Sequence, residues 1–154
     1  MPTPAAELGK LDYFVGTWRL EGEVEPNSIS PGGHLIETDQ NDWMDGGFFL
    51  VVRSEFTISG MNGASGVAYL GYDPNEKLYT YDEFNSMGEA IHSKGFVDGD
   101  TWIWSGERKM DTGIVKTQWV VKIRTAVTYD FKFEMSPDGT TWTTVVEGKA
   151  IKQP

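Results

Sequence analysis

The 154-residue chain has no cysteine, which excludes disulfides, thiolate metal sites and cysteine nucleophiles. Histidine is almost as scarce, with His34 and His92 alone. Positive charge is also short: 13 Lys and Arg stand against 23 Asp and Glu, a formal net charge of -10. An acidic surface repels phosphate backbones and anionic lipid, and no Lys/Arg run offsets it, so no nucleic-acid partner is expected. No apolar run approaches the roughly 20 residues that cross a bilayer as a helix, so no membrane insertion is expected. Met1-Pro2-Thr3-Pro4 carries no basic segment ahead of an apolar one. No signal peptide is read there, and a cytoplasmic location is the expectation.

What the chain does have is rings. Six Trp, six Tyr and eight Phe make 13% of the residues, and such side chains suit sheet faces and cavity walls. The length fits one domain, residues 1–154, with a real core. Thr3-Pro4 reads as a helix start, with Thr as cap and Pro at the first helical position. Leu8, Leu11 and Val15 then share a face, and Gly16 stops the helix. From Trp18 the period changes to two: Trp18, Leu20, Gly22 and Val24 on one face, Arg19, Glu21, Glu23 and Glu25 on the other.

Strand patterns then follow one another, separated by turns. They cover 34–43, 48–58, 65–72, 78–85, 90–97, 101–109, 114–124, 128–135 and 142–151. Pro26-Asn27-Ser28, Ser30-Pro31-Gly32-Gly33, Asp45-Gly46-Gly47, Gly60-Met61-Asn62-Gly63 and Asp98-Gly99-Asp100 are among the turns. About ten short strands joined by hairpin-length connections predict an all-β, up-and-down antiparallel barrel, closed or nearly so. Left open, it would expose two edges; closed, ten strands leave interior space.

The short helix entering Gly16-Thr17-Trp18 resembles the Gly-x-Trp signature of the calycin superfamily, which includes lipocalins, fatty-acid-binding proteins and nitrobindin-like barrels. Leu11-x-x-Phe14-x-Gly16-Thr17-Trp18, Gly71-Tyr72-Asp73, Ser86-Met87-Gly88 and the segment from Gly95 to Trp104 resemble more closely a family of small uncharacterised bacterial proteins of lipocalin-like fold, a domain-of-unknown-function family. The resemblance implies structural roles for Gly16 and Trp18. It also implies a basic side chain from a late strand over Trp18, with Arg124 and Lys149 as the two candidates. A haem-binding barrel of the nitrobindin kind would need a histidine on one of the last strands. None follows His92, so no cofactor is expected.

The residues themselves exclude several chemistries. His34, Glu37 and Asp39 suggest a metal, but His34 and Glu37 fall on opposite faces of a strand, so the segment reads as solvated and no metal is expected. The glycines of Gly60–Gly66 precede a strand rather than a helix, so they cradle no phosphate. Asp82 and Glu83 fall on opposite faces. The interior is expected to carry rings around one cation: Arg53, Tyr79, Tyr81, His92, Trp102, Trp104, Trp119 and Phe131. That set suits an amphipathic molecule with a carboxylate or phenolate. A one-residue register change inverts each assignment, and the alternative is a barrel filled by its own rings with Arg53 at the rim.

The favoured expectation is a barrel that binds a small apolar or amphipathic molecule without catalysis. A barrel enzyme doing acid–base chemistry on an aromatic or fatty acid is the second reading; it needs Tyr, Arg and Glu to converge inside. A solid structural or partner-binding module is the third. A homodimer is left open.

Overall fold

The computed structural model describes residues 1–26, 31–59 and 62–154. The turns expected through Asn27, Ser28, Ser30, Gly60 and Met61 therefore lie outside the described residues. A 3-10 helix, Ala6–Phe14, leads into ten strands: β1 (Gly16–Val24), β2 (Gly33–Trp43), β3 (Leu50–Ile58), β4 (Ala64–Asp73), β5 (Leu78–Asn85), β6 (Ala90–Asp98), β7 (Thr101–Met110), β8 (Gly113–Thr125), β9 (Thr128–Ser136) and β10 (Thr143–Lys152). Every strand pairs antiparallel with its neighbours in sequence, and β1 pairs with β10 to close the barrel. The up-and-down closed barrel expected from the turn spacing is the fold observed.

The helix differs from its expected form. It begins at Ala6, its N-cap is Ala5, and no side chain caps it, so Thr3 has no such role. The buried residues are Leu8, Leu11 and Phe14, not Val15. A 3-10 helix turns every three residues, which puts those three in one row. Nine residues is long for this helix type, and docking holds it. Tyr79 donates its hydroxyl hydrogen to Glu7 O at 2.7 Å, Trp43 Nε1 donates to Asp12 Oδ1 at 2.7 Å, and Asn41 Nδ2 donates to Phe14 O at 2.8 Å. The helix thus plugs one end of the barrel. The C-terminal ends of β1, β3, β5, β7 and β9 surround the other.

Trp18 is fully buried at the plugged end, between Tyr13 and Tyr129, and donates its indole hydrogen to Phe14 O at 3.0 Å. The basic side chain over its ring is Lys152, 5.9 Å from the centroid. The two expected candidates lie elsewhere. Arg124 pairs with Asp130 at 2.6 Å, and Lys149 is set opposite Glu21 on the outer face. The period-two rule decides this, because Trp18 is directly paired with Lys152.

Closure requires two strands to approach tightly. Gly22 and Gly148 pair directly across the β1–β10 seam; a Cβ on Gly148 would collide with the Glu21 carbonyl oxygen. A similar constraint shapes the interior wall. Gly95 is paired with Trp104, whose indole lies flat where a Gly95 Cβ would stand. Trp104 in turn stacks on Trp102, with centroids 5.6 Å apart and planes within 9°. Gly95→Ala should push Trp104 off this stack and cost about 1–3 kcal/mol. The check is a fall in the denaturation midpoint with loss of the near-ultraviolet circular dichroism of the Trp pair.

Candidate ligand-binding lumen

Inward positions follow from the register. Trp18, Leu20 and Gly22 of β1 face Asp39, Glu37 and Leu35 of β2, which face Ser54, Phe56 and Ile58 of β3. The alternation continues through Tyr79, Tyr81, Glu83 and Asn85 of β5 to Trp102, Trp104 and Arg108 of β7 and Trp119 of β8. Near the helix the interior is packed solid by rings: Phe14, Trp18, Tyr79, Trp102 and Tyr129 touch edge to face or tilted.

Above that plug the barrel is hollow. Two lobes of about 260 and 270 Å³ meet along Glu37, Phe56, Tyr81, Glu83, Trp104, Arg108 and Trp119. One lobe reaches down to Phe14 and Asn41 and up to Glu89. The other lies against Leu35, Ile58, Ile91, Phe133 and Val146. Together they have the scale of small-molecule sites, roughly 300–1,000 Å³.

The eight residues expected inside divide three ways. Tyr81, Trp104 and Trp119 line the lumen. Tyr79, Trp102 and Phe131 point inward but are buried in packed aromatic layers, Phe131 stacked on Trp119 at 5.2 Å. Arg53 and His92 are outside, which corrects the expected orientation of both. Arg53 is exposed because Leu50, Val52 and Ser54 are the residues of β3 that face in. The run Phe48-Phe49-Leu50-Val51-Val52 is apolar on both faces, so it carries no period with which to choose. His92 is exposed and held by Asp82 at 2.6 Å on the outer face, while Ile91 and Ser93 face in.

The polar lining is not the one expected. Segment 34–43 is not solvated on both sides. His34 is outside, bonded to Glu23 at 2.7 Å, but Glu37, Asp39 and Asn41 face the lumen. Glu83 and Asn85 join them from β5, and Tyr81 donates its hydroxyl hydrogen to Glu83 Oε1 at 3.2 Å. Among the described residues the cation lining the lumen is Arg108, whose guanidinium lies 5.5 Å from the Phe133 centroid and 3.7 Å from Glu89. Period two marks Glu37, Asp39 and Asn41 as one face of β2. Pairing Trp18 with Asp39 would have turned that face inward, but the connecting loop does not reveal the register.

Burial makes this lining electrostatically tense. It raises Glu37 well above the usual carboxylate range, helped by the negative charge of Asp39, a hydrogen bond to Asp39, and Glu83. Asp39 is also raised by burial, although hydrogen bonds from Glu37 and Ser54 counter part of it. Glu37 therefore keeps a proton to higher pH and shares it with Asp39. Burial first, then the charge of Glu83, pushes Tyr81 well up, so its phenol stays neutral.

A closed ten-strand antiparallel barrel with a plugged end and a polar-and-aromatic lumen is the class of protein that the fold and cavity define. Residues 3–152 match the family described as "Protein of unknown function (DUF1579)", and the chain belongs to that family. No curated protein sequence matches it. Among solved structures, the chain is similar to Rv2717c from M. tuberculosis at 12% identity and TM-score 0.66, with 98% of this chain and 99% of that one covered. It is similar to a de novo designed fluorescence-activating β-barrel at 13% identity and TM-score 0.51, with 92% and 95% covered. A third likeness, at 10% identity and TM-score 0.50 with 92% and 95% covered, is to EF1p2_mFAP2b bound to DFHBI. At these identities the likeness is one of fold.

Proposed function

We propose that this protein binds a small amphipathic molecule in the barrel lumen. The observation that carries the reading is the two-lobed void: this barrel has the rings to fill its interior, yet Phe56, Tyr81, Trp104 and Trp119 wall a space. Burial of a ring between them contributes about 1.5–3 kcal/mol for each large apolar group removed from water. Of two barrels of similar fold, one is a designed fluorescence-activating barrel and the other is bound to DFHBI, which is compatible with a guest in this architecture.

Titration with N-phenyl-1-naphthylamine, a neutral dye whose emission rises in apolar surroundings, tests the reading. Saturable one-to-one binding is expected, with energy transfer from tryptophan. Val52→Trp grows a ring into one lobe and Ser93→Trp into the other. The double variant should lower affinity at least about tenfold, the loss of 1.4 kcal/mol or more from displaced contacts. Unchanged dye binding by the folded double variant would place the dye outside and end the proposal.

Acid–base chemistry is the second reading, favoured by one geometric fact. A carboxylate, Glu83, stands within hydrogen-bond reach of Tyr81, beside Glu37 with its raised proton affinity. If it holds, a lumen ligand is recovered altered after incubation, and Glu37→Gln stops the conversion while leaving binding in place. Recovery of only unaltered ligand leaves the binding role alone.

A further inference from the structure

Resting on the lumen as the binding site, we infer that its guest presents N–H donors: a protonated aromatic amine or an amino-substituted heterocycle, rather than a fatty or aromatic acid. Two atoms at the bottom of the lumen lead to this. Asp39 Oδ1 and Asn41 Oδ1 are buried acceptors with no hydrogen-bond partner among the described residues, in residues only 8% and 5% exposed. Both residues line the same lobe, two positions apart on one face of β2.

The orientation of Asn41 is not arbitrary. Its Nδ2 donates to Phe14 O at 2.8 Å, which holds the amide oxygen away from that carbonyl. Asp39 receives hydrogen bonds from Glu37 and Ser54, yet Oδ1 is left over. A buried acceptor without a donor is unusual enough in a folded protein to need an explanation. These two are acceptors, so the group complementary to them is a donor; the other buried polar atom without a hydrogen-bond partner among the described residues, Arg108 Nε, lies where the two lobes meet and is 3.7 Å from Glu89.

Charge agrees with hydrogen bonding. Three carboxyl side chains, Glu37, Asp39 and Glu83, line this lobe, with Glu89 toward the mouth and Arg108 as the cation. An acid guest seated against Asp39 would face repulsion and leave both acceptors unmatched; an ammonium or amidine nitrogen satisfies them. The flat walls Trp104 and Trp119 supply a stacking surface above, and cations are drawn to such rings. A metal ion is a poorer match, because among the described residues no three His, Asp or Glu side chains are placed to hold one.

A matched series on one ring tests this by calorimetry with the wild-type protein: 1-naphthylmethylammonium, 1-naphthylmethanol, 1-naphthoate and trimethyl(1-naphthylmethyl)ammonium. The primary amine should bind about tenfold tighter than the alcohol, or better, from a charge-assisted hydrogen bond. Naphthoate should be the weakest. The trimethylated cation, which has charge but no N–H, should not exceed the alcohol. Asp39→Asn should remove most of the amine's advantage while leaving the alcohol within about twofold.

Equal binding of amine and alcohol overturns the donor inference and leaves the lumen reading standing. Binding of none of the four overturns both. A trimethylated cation as tight as the primary amine shows that charge rather than donation is read, and the inference falls. Retention of the amine preference in Asp39→Asn removes Asp39 from the site and overturns it too. Should that variant not fold, the wild-type series decides alone.

Discussion

Trp18→Ala should destabilise the protein by about 3–5 kcal/mol, the cost of deleting a large buried ring. That is a large share of the roughly 5–15 kcal/mol that holds a typical domain. Trp18 is fully buried, and its ring touches Tyr13 on the helix and Tyr129 on β9. Its indole N–H is also the donor to Phe14 O, an acceptor shared with Asn41. Deletion therefore opens a cavity and loosens the plug together. Trp18→Phe keeps most of the packing and loses the hydrogen bond, so it should cost less, on the order of 1–2 kcal/mol. Lys152→Met removes only the cation over the ring, about 1 kcal/mol at this half-buried position. Denaturant midpoints should fall in that order with unchanged slope. A Trp18→Ala cost as small as that of Lys152→Met would show that the plug is held by something else.

Glu37→Gln should raise stability at neutral pH and have no effect in acid. Burial raises Glu37 and Asp39 above their values in the unfolded chain, so the folded state binds the shared proton more tightly. Stability associated with this pair is then present at low pH. It declines as pH rises from the ordinary carboxylate pKa, about 4.3, through the raised folded one. Removing the ionisable group removes the decline, for a gain of roughly 1–3 kcal/mol above that window. Other acids act in the opposite sense. Asp138 is held well below the usual range by the backbone N–H groups of Thr141 and Thr140, so its contribution is lost as pH falls. Such terms are common to both proteins and cancel in the difference. The groups facing Glu37 are Asp39 from its own strand and Glu83 from β5, with Tyr81 and Arg108 along the same wall. A difference between wild type and variant that is flat from pH 4 to 8 would contradict the assignment.

The barrel was legible because strand existence depends on local pattern. Val127, Tyr129, Phe131 and Phe133 alternate with polar residues, and turn residues recur at intervals that allow only hairpins. Closure followed from the edges that an open sheet would expose. The interior was less legible, since its content depends on which of two faces each strand turns inward. Where one face is clearly apolar, as with Trp102 and Trp104, that face turns inward. Where both faces were apolar, as around Leu50, or both polar, as in segment 34–43, no period distinguishes them. Arg53 is therefore expected inside, and segment 34–43, with Glu37 and Asp39, in solvent. The structure reverses each of these, and the lumen changes from cationic to acidic. Arg108 is hidden in the sequence for a related reason: it extends the inward face of Trp102 and Trp104 past the apolar stretch.

The indole Nε1 resonances in a two-dimensional ¹⁵N–¹H spectrum, followed during titration with 1-naphthylmethylammonium, locate the guest most directly. Trp104 and Trp119 wall the lumen, whereas Trp43 is tied to Asp12 beside the plug. A guest in the lumen predicts saturable shifts of the Trp104 and Trp119 signals with the Trp43 signal unmoved. Saturation of binding with neither lumen signal displaced would contradict it.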